Sequence, residues 1–142
     1  MKRVSVALVV SLMAAGTLSG CGGSAYCGDI KDGQKTLNSF GQKRTNEAYQ
    51  GYASTLRKIA KDSPQSVRKD WTTLASKTEG VLKAQKTAGL KLEEMSDKRK
   101  VAGLKTADLT ELNNAYTAFN GTTKERAAVV KNVKQECKVT LK

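Results

Sequence analysis

The stretch "EAYQGYASTLRKIAKDSPQSVRKDW", Glu47 to Trp71, carries two apolar stripes at helical spacing, separated by a single proline. Tyr49, Tyr52, Ala53, Leu56, Ile59 and Ala60 recur at i, i+3, i+4 and i+7, which places them on one face of an α-helix expected over about 45–62. "DSP" stops that helix. Ser63 is expected to cap the next one with Pro64 at its first position, where the missing N–H costs nothing. Beyond it Val67, Trp71, Leu74, Thr78, Val81 and Ala88 continue a heptad-like stripe, predicted to end near Gly89. Two helices joined by so short a connection pack as antiparallel neighbours.

Working outward, Cys27, Ile30, Leu37 and Phe40 predict an earlier helix over about 26–41, weakened at Gly28 and Gly33. After Gly89 the pattern becomes irregular over 90–105, with a short turn expected around "LEEM". Asp108 with Glu111 three residues later reads as a capping box opening a helix that carries Leu109, Leu112, Tyr116 and Phe119. "FNGTT" breaks it, and Ala127, Val130, Val133 and Cys137 line a last one. No two-residue alternation occurs. The expected fold is all-α, a small bundle of four to five helices closed by one disulfide.

The start of the chain has a different character. "MKR" is cationic, "VSVALVVSLMAA" is apolar over a length suited to an export signal, and "GTLSG" is small and polar. The apolar run is shorter than the ~20 residues a membrane-crossing helix needs. Leu18-Ser19-Gly20-Cys21 resembles the lipobox of bacterial lipoproteins, which implies a diacylglyceryl group on the Cys21 thiol and cleavage just before it. Two acyl chains give stable anchoring where one gives only marginal binding. A plain export signal followed by a chance cysteine is the alternative. The expected organisation is a lipoprotein signal peptide over 1–20, a lipidated N-terminus and tether over 21–25, and the bundle over 26–142.

Three cysteines in an exported chain leave an odd thiol, and lipidation of Cys21 removes the oddity. Cys27 and Cys137 then remain as a pair, outside any C-x-x-C spacing that would suggest redox or metal chemistry. A structural disulfide is expected, the competing reading being two free buried cysteines.

Without Lys2 and Arg3, 23 basic residues face 13 acidic ones, a net charge of +10 for the chain from Cys21 onward. Such a surface beside a membrane suits anionic lipids, acidic envelope polymers or an acidic envelope protein. The charges are dispersed, so a solvated helical surface is the plainer reading. Lys98, Arg99 and Lys100 form the densest basic run. Nucleic acid is not an expected partner, because export and the lack of aromatic residues among the basic ones argue against it.

Here the chain resembles a family. "AYC", "IAKDSPQSVRKDW", "GLKTADLTEL" and "VKNVKQEC" are similar to motifs of small exported helical proteins and lipoproteins of Gram-positive bacteria, which pair an early Tyr-Cys with a late cysteine around a central Pro, Val, Asp-Trp signature. The present chain departs in having Ser63 before Pro64 and "ECKVTL" where a glycine tends to follow the cysteine. The resemblance contributes no activity.

With no histidine in the chain, serine and cysteine triads and imidazole acid–base chemistry have no base. Glu93 and Glu94 are sequence neighbours that diverge by ~100° on a helix and read as surface charge. No catalytic residue, cofactor or metal is expected. Trp71 is either a surface recognition anchor or, from its register with Val67 and Leu74, a core residue. The expected role is a membrane-anchored extracytoplasmic binding or accessory module of the cell envelope; the alternative is a passive, charge-bearing component without a specific partner.

Overall fold

The computed structural model describes residues 22–142; the expected leader, 1–20, and the lipobox cysteine, Cys21, lie outside the described residues. Five helices of fifteen residues or more form the bundle: α1 Gly22–Asn38, α2 Asn46–Asp62, α3 Gln65–Ala88, α5 Thr106–Asn120 and α6 Thr123–Cys137. Between α3 and α5 lie a 3-10 turn, Leu92–Glu94, and a one-turn helix, α4 Lys98–Ala102. No strand occurs among the described residues. The fold is therefore the expected all-α bundle. The segment 22–25, expected as a tether, instead belongs to α1.

The boundaries follow local chemistry. Thr45 caps α2 by accepting the Ala48 N–H at 3.1 Å on its hydroxyl. Gly89 closes α3 in the left-handed conformation, φ +65°, with its N–H turned back to the Gln85 and Lys86 carbonyls, as the sequence predicts. Two expected caps are corrected. Ser63 ends α2 rather than opening α3: its hydroxyl donates to the Ala60 carbonyl at 2.9 Å, and Pro64 takes the N-cap position. The helix expected to open at Asp108 starts earlier, at Thr106, so Asp108 sits inside its first turn, where its charge favours the helix N-terminus.

The longest helix, α3, is the hub. It packs against α2, α5 and α6, while α1 closes the group by lying against α2 and α6. The core draws Tyr26, Ile30 and Leu37 from α1, the predicted face of α2, all of it buried, and Val67, Trp71, Leu74, Ala75 and Val81 from α3. The last helix is rotated from its expected register, whereas α5 keeps Leu112, Tyr116 and Phe119 of its expected face on the core side. Leu109 and Val130 are 37% and 38% exposed, whereas Leu112, Phe119, Val129 and Val133 are buried. Val129, Val130 and Val133 offer two overlapping apolar stripes on α6, and the neighbours select the one containing Val129.

At one end Cys27 and Cys137 are bonded, with Cα atoms 5.2 Å apart and a sequence separation of 110. The disulfide joins the early part of α1 to the last residue of α6. Past it Lys138 adopts a left-handed conformation, φ 55°, which reverses the chain. Residues 138–142 then run back along α1: the Thr140 carbonyl accepts from Gln34 Nε2 at 3.3 Å, and the Lys142 N–H donates to Asn38 Oδ1 at 2.8 Å.

Candidate functional site

The two ends of the α1–α6 seam are built from different materials. Next to the disulfide, Trp71 is 1% exposed and donates its indole N–H to the Tyr26 hydroxyl at 3.1 Å. Tyr26 in turn donates to Asn132 Oδ1 at 2.8 Å. Burial pushes the Tyr26 phenol up from its ordinary pKa, an effect the Trp71 hydrogen bond opposes. Of the two readings of Trp71, core packing is the one the fold shows; a residue so enclosed cannot serve as a surface anchor.

The other end is aromatic. Phe40, Tyr49, Tyr52 and Phe119 pack in edge and tilted contacts with ring centroids 5.0–5.8 Å apart. Tyr52 also donates its hydroxyl to the Ser39 carbonyl, which ties the end of α1 to α2. Onto this cluster α6 delivers Arg126, whose guanidinium carbon lies 4.9 Å from the Phe40 ring centroid and 5.0 Å from that of Phe119. Cation–π attraction of about 0.5–2 kcal/mol holds such a pairing as it loses water. Arg126 Nη2 donates to the Phe119 carbonyl at 3.2 Å, a carbonyl at the end of α5 that also accepts the Thr122 hydroxyl at 2.7 Å. Its Nε is buried without an acceptor, and no carboxylate pairs with the group among the described residues. Burial draws the guanidinium below its ordinary pKa.

Between the two ends the seam stays open. A crevice of ≈ 210 Å³ is walled by Leu37, Phe40, Leu56, Trp71 and Val130, with Arg126 as its cation and Leu141 and Lys142 of the returning segment along one side. A wider depression, ≈ 750 Å³, lies over Arg68, Lys69, Thr72 and Ser76, but every residue lining it belongs to α3 and it is a shallow surface rather than an enclosure. The crevice is the better site because it combines apolar walls with a desolvated charge. Sequence reasoning missed it. The available signal was Arg126 standing on the buried stripe of α6, three residues before Val129 and seven before Val133.

The basic run is not brought to this site. Asp97 caps α4 by accepting the Arg99 and Lys100 N–H groups at 3.0 and 3.4 Å. Lys100 is paired with Glu94, which holds that carboxyl below its usual range, while Lys98 and Arg99 are exposed and make no salt bridge among the described residues. Glu93 is exposed and Glu94 half-buried, and both are structural. Glu93 Oε2 accepts the Asn46 N–H at 3.0 Å, and Asn46 Oδ1 accepts the Leu92 N–H at 2.9 Å, a reciprocal tie between the 3-10 turn and the start of α2.

No group of three or more His, Cys, Asp or Glu side chains among the described residues is placed to hold a metal ion. None of the described helices is long and apolar enough to cross a membrane. Comparison with known proteins finds no matching family, no matching curated protein and no matching solved structure.

Proposed function

We propose that this chain is a lipid-anchored, extracytoplasmic protein of the bacterial cell envelope that works by non-catalytic binding. The observation that carries the anchoring is Leu18-Ser19-Gly20-Cys21 directly behind a cationic and apolar leader. The Cys27–Cys137 disulfide supports it, since such bonds persist in oxidising compartments outside the cytoplasm. Because α1 begins at Gly22, an anchor on Cys21 would leave the disulfide end of the bundle nearest the bilayer. The aromatic end would then face outward by roughly the ~25 Å length of a helix of this size.

Binding is favoured over a passive role by the crevice: a purely charge-bearing component needs a filled core beneath lysines, and this one leaves an apolar space beside an unpaired arginine. Anchoring is tested by metabolic fatty-acid labelling. The wild-type chain should take up label and partition into the detergent phase, and Cys21→Ala should do neither; labelling of the variant would refute the assignment.

A contribution from the basic surface would appear as salt-sensitive association with anionic vesicles, because exposed charges are screened beyond ~8 Å at physiological ionic strength. Charge reversal at Lys98 and Arg99 should then cost more than reversal at the dispersed Lys31 or Lys124. Equal losses would assign the effect to net charge alone.

A further inference from the structure

The Arg126 guanidinium has five N–H donors and one protein acceptor, the Phe119 carbonyl. It rests on the faces of Phe40 and Phe119, is half-buried with its Nε shut away from water, and has no counter-acid among the described residues. An ordinary surface arginine keeps its hydration, and a buried one is normally paired. Here the cation instead borders a crevice whose other walls, apart from Lys142, are aliphatic and aromatic. A ligand that satisfies both halves must have an apolar body and one anionic head.

Size narrows the class. At ≈ 210 Å³ the space is about seven water volumes of ~30 Å³ each and falls below the ~300 Å³ at which drug-sized pockets begin. It suits one medium-length alkyl chain and excludes a two-chain lipid. A single planar guanidinium matches the two oxygens of a carboxylate. The net charge of +10 from Cys21 onward would draw such an anion toward the protein.

From this geometry we infer that the crevice binds a medium-chain carboxylate, its head on Arg126 and its chain against Phe40, Val130 and Leu141, over a floor of Leu37, Leu56 and Trp71. The inference rests on the reading of the chain as a binding module and names what is bound. Its anchoring is irrelevant to the chemistry.

Trp71 is the only tryptophan and lines the crevice, so its fluorescence reports occupancy directly. The experiment titrates residues 22–142, which contain every helix and the disulfide of the described fold, with octanoate below its micelle concentration. A saturable change in Trp71 emission is expected with octanoate. Octanol should bind at least tenfold more weakly, and octyltrimethylammonium should give no saturable change. Arg126→Gln should weaken octanoate at least tenfold while leaving octanol unchanged, and Val130→Phe, a filling substitution at a partly exposed wall, should weaken both. No saturable response to octanoate, or equal affinity for octanoate and octanol in the wild-type protein, would overturn the inference without any variant. Crosslinking to an envelope partner in intact cells reads the wider proposal separately: a partner captured despite no octanoate response leaves the binding module standing and removes this ligand, whereas neither response removes both.

Discussion

Trp71 and Tyr26 meet through a 3.1 Å hydrogen bond inside the core, one position before the cysteine that closes the bundle. The Tyr26 hydroxyl accepts from the indole and donates to Asn132, so a single oxygen links α1, α3 and α6. Tyr26→Phe removes that oxygen and leaves the buried indole N–H without a partner. The expected cost is about 1–3 kcal/mol, measured by denaturant unfolding. Trp71→Phe removes the donor instead, and the double variant should cost less than the sum of the two; strict additivity would show that the hydrogen bond contributes nothing.

Reduction of the Cys27–Cys137 bond should destabilise the protein by about 4–5 kcal/mol in the chain-entropy account, because the bond closes nearly the whole described chain into a loop. Thiol counting on denatured, unreduced residues 22–142 should find no free thiol. Two reactive thiols would refute the closure.

Three helix-interior glycines should respond oppositely to alanine. At Gly33 a Cβ would stand 2.7 Å from Thr55 Cγ2 and 3.7 Å from Ile59 Cδ1, where α1 crosses α2. Gly33→Ala should therefore lower the melting temperature despite the better helix propensity of alanine, and Thr55→Ser, which deletes the clashing methyl, should restore it. At Gly51 and Gly80 a Cβ meets nothing within 4 Å. Alanine there should stabilise by about 0.5–1 kcal/mol. A stabilising Gly33→Ala would mean that the α1–α2 contact is looser than described.

Stability should be flat across neutral pH and fall on both sides. The chain has no histidine, and Cys27 and Cys137 are bonded, so no side chain of the described fold has an ordinary pKa between about 6 and 8. On the acid side, Glu79 is lowered by its hydrogen bond from Arg57, Glu93 by the Asn46 N–H, and Glu94 by Lys100. Their contributions are complete above the ordinary carboxylate value near ~4.3 and are lost as pH falls through the lower folded values. On the alkaline side, burial raises Tyr26, Tyr49 and Tyr116, so their contributions are complete below ~10 and are lost as pH rises through the higher folded values. Thermal melts across pH should show this plateau. Tyr26→Phe should shallow the alkaline fall, and a step between pH 6 and 8 would contradict the picture.

The sequence by itself determined where the helices of the first two thirds of the chain lie, because the marks that set them are local. A 3.6-residue apolar period needs only one helix, and Gly89 needs only its own left-handed backbone. Tertiary structure decided the rotation of α6. Its apolar residues fit more than one stripe, and Val129 rather than Val130 is buried only because α3 and α1 lie on that side. It also decided the role of Arg126. Nothing in "TKERAAVV" indicates that an arginine will lie on two phenylalanine rings, because Phe40 and Phe119 reach it from α1's end and from α5. A desolvated cation beside an apolar crevice is a relation among three chain segments, and burial, unlike helical periodicity, exists only once those segments have packed.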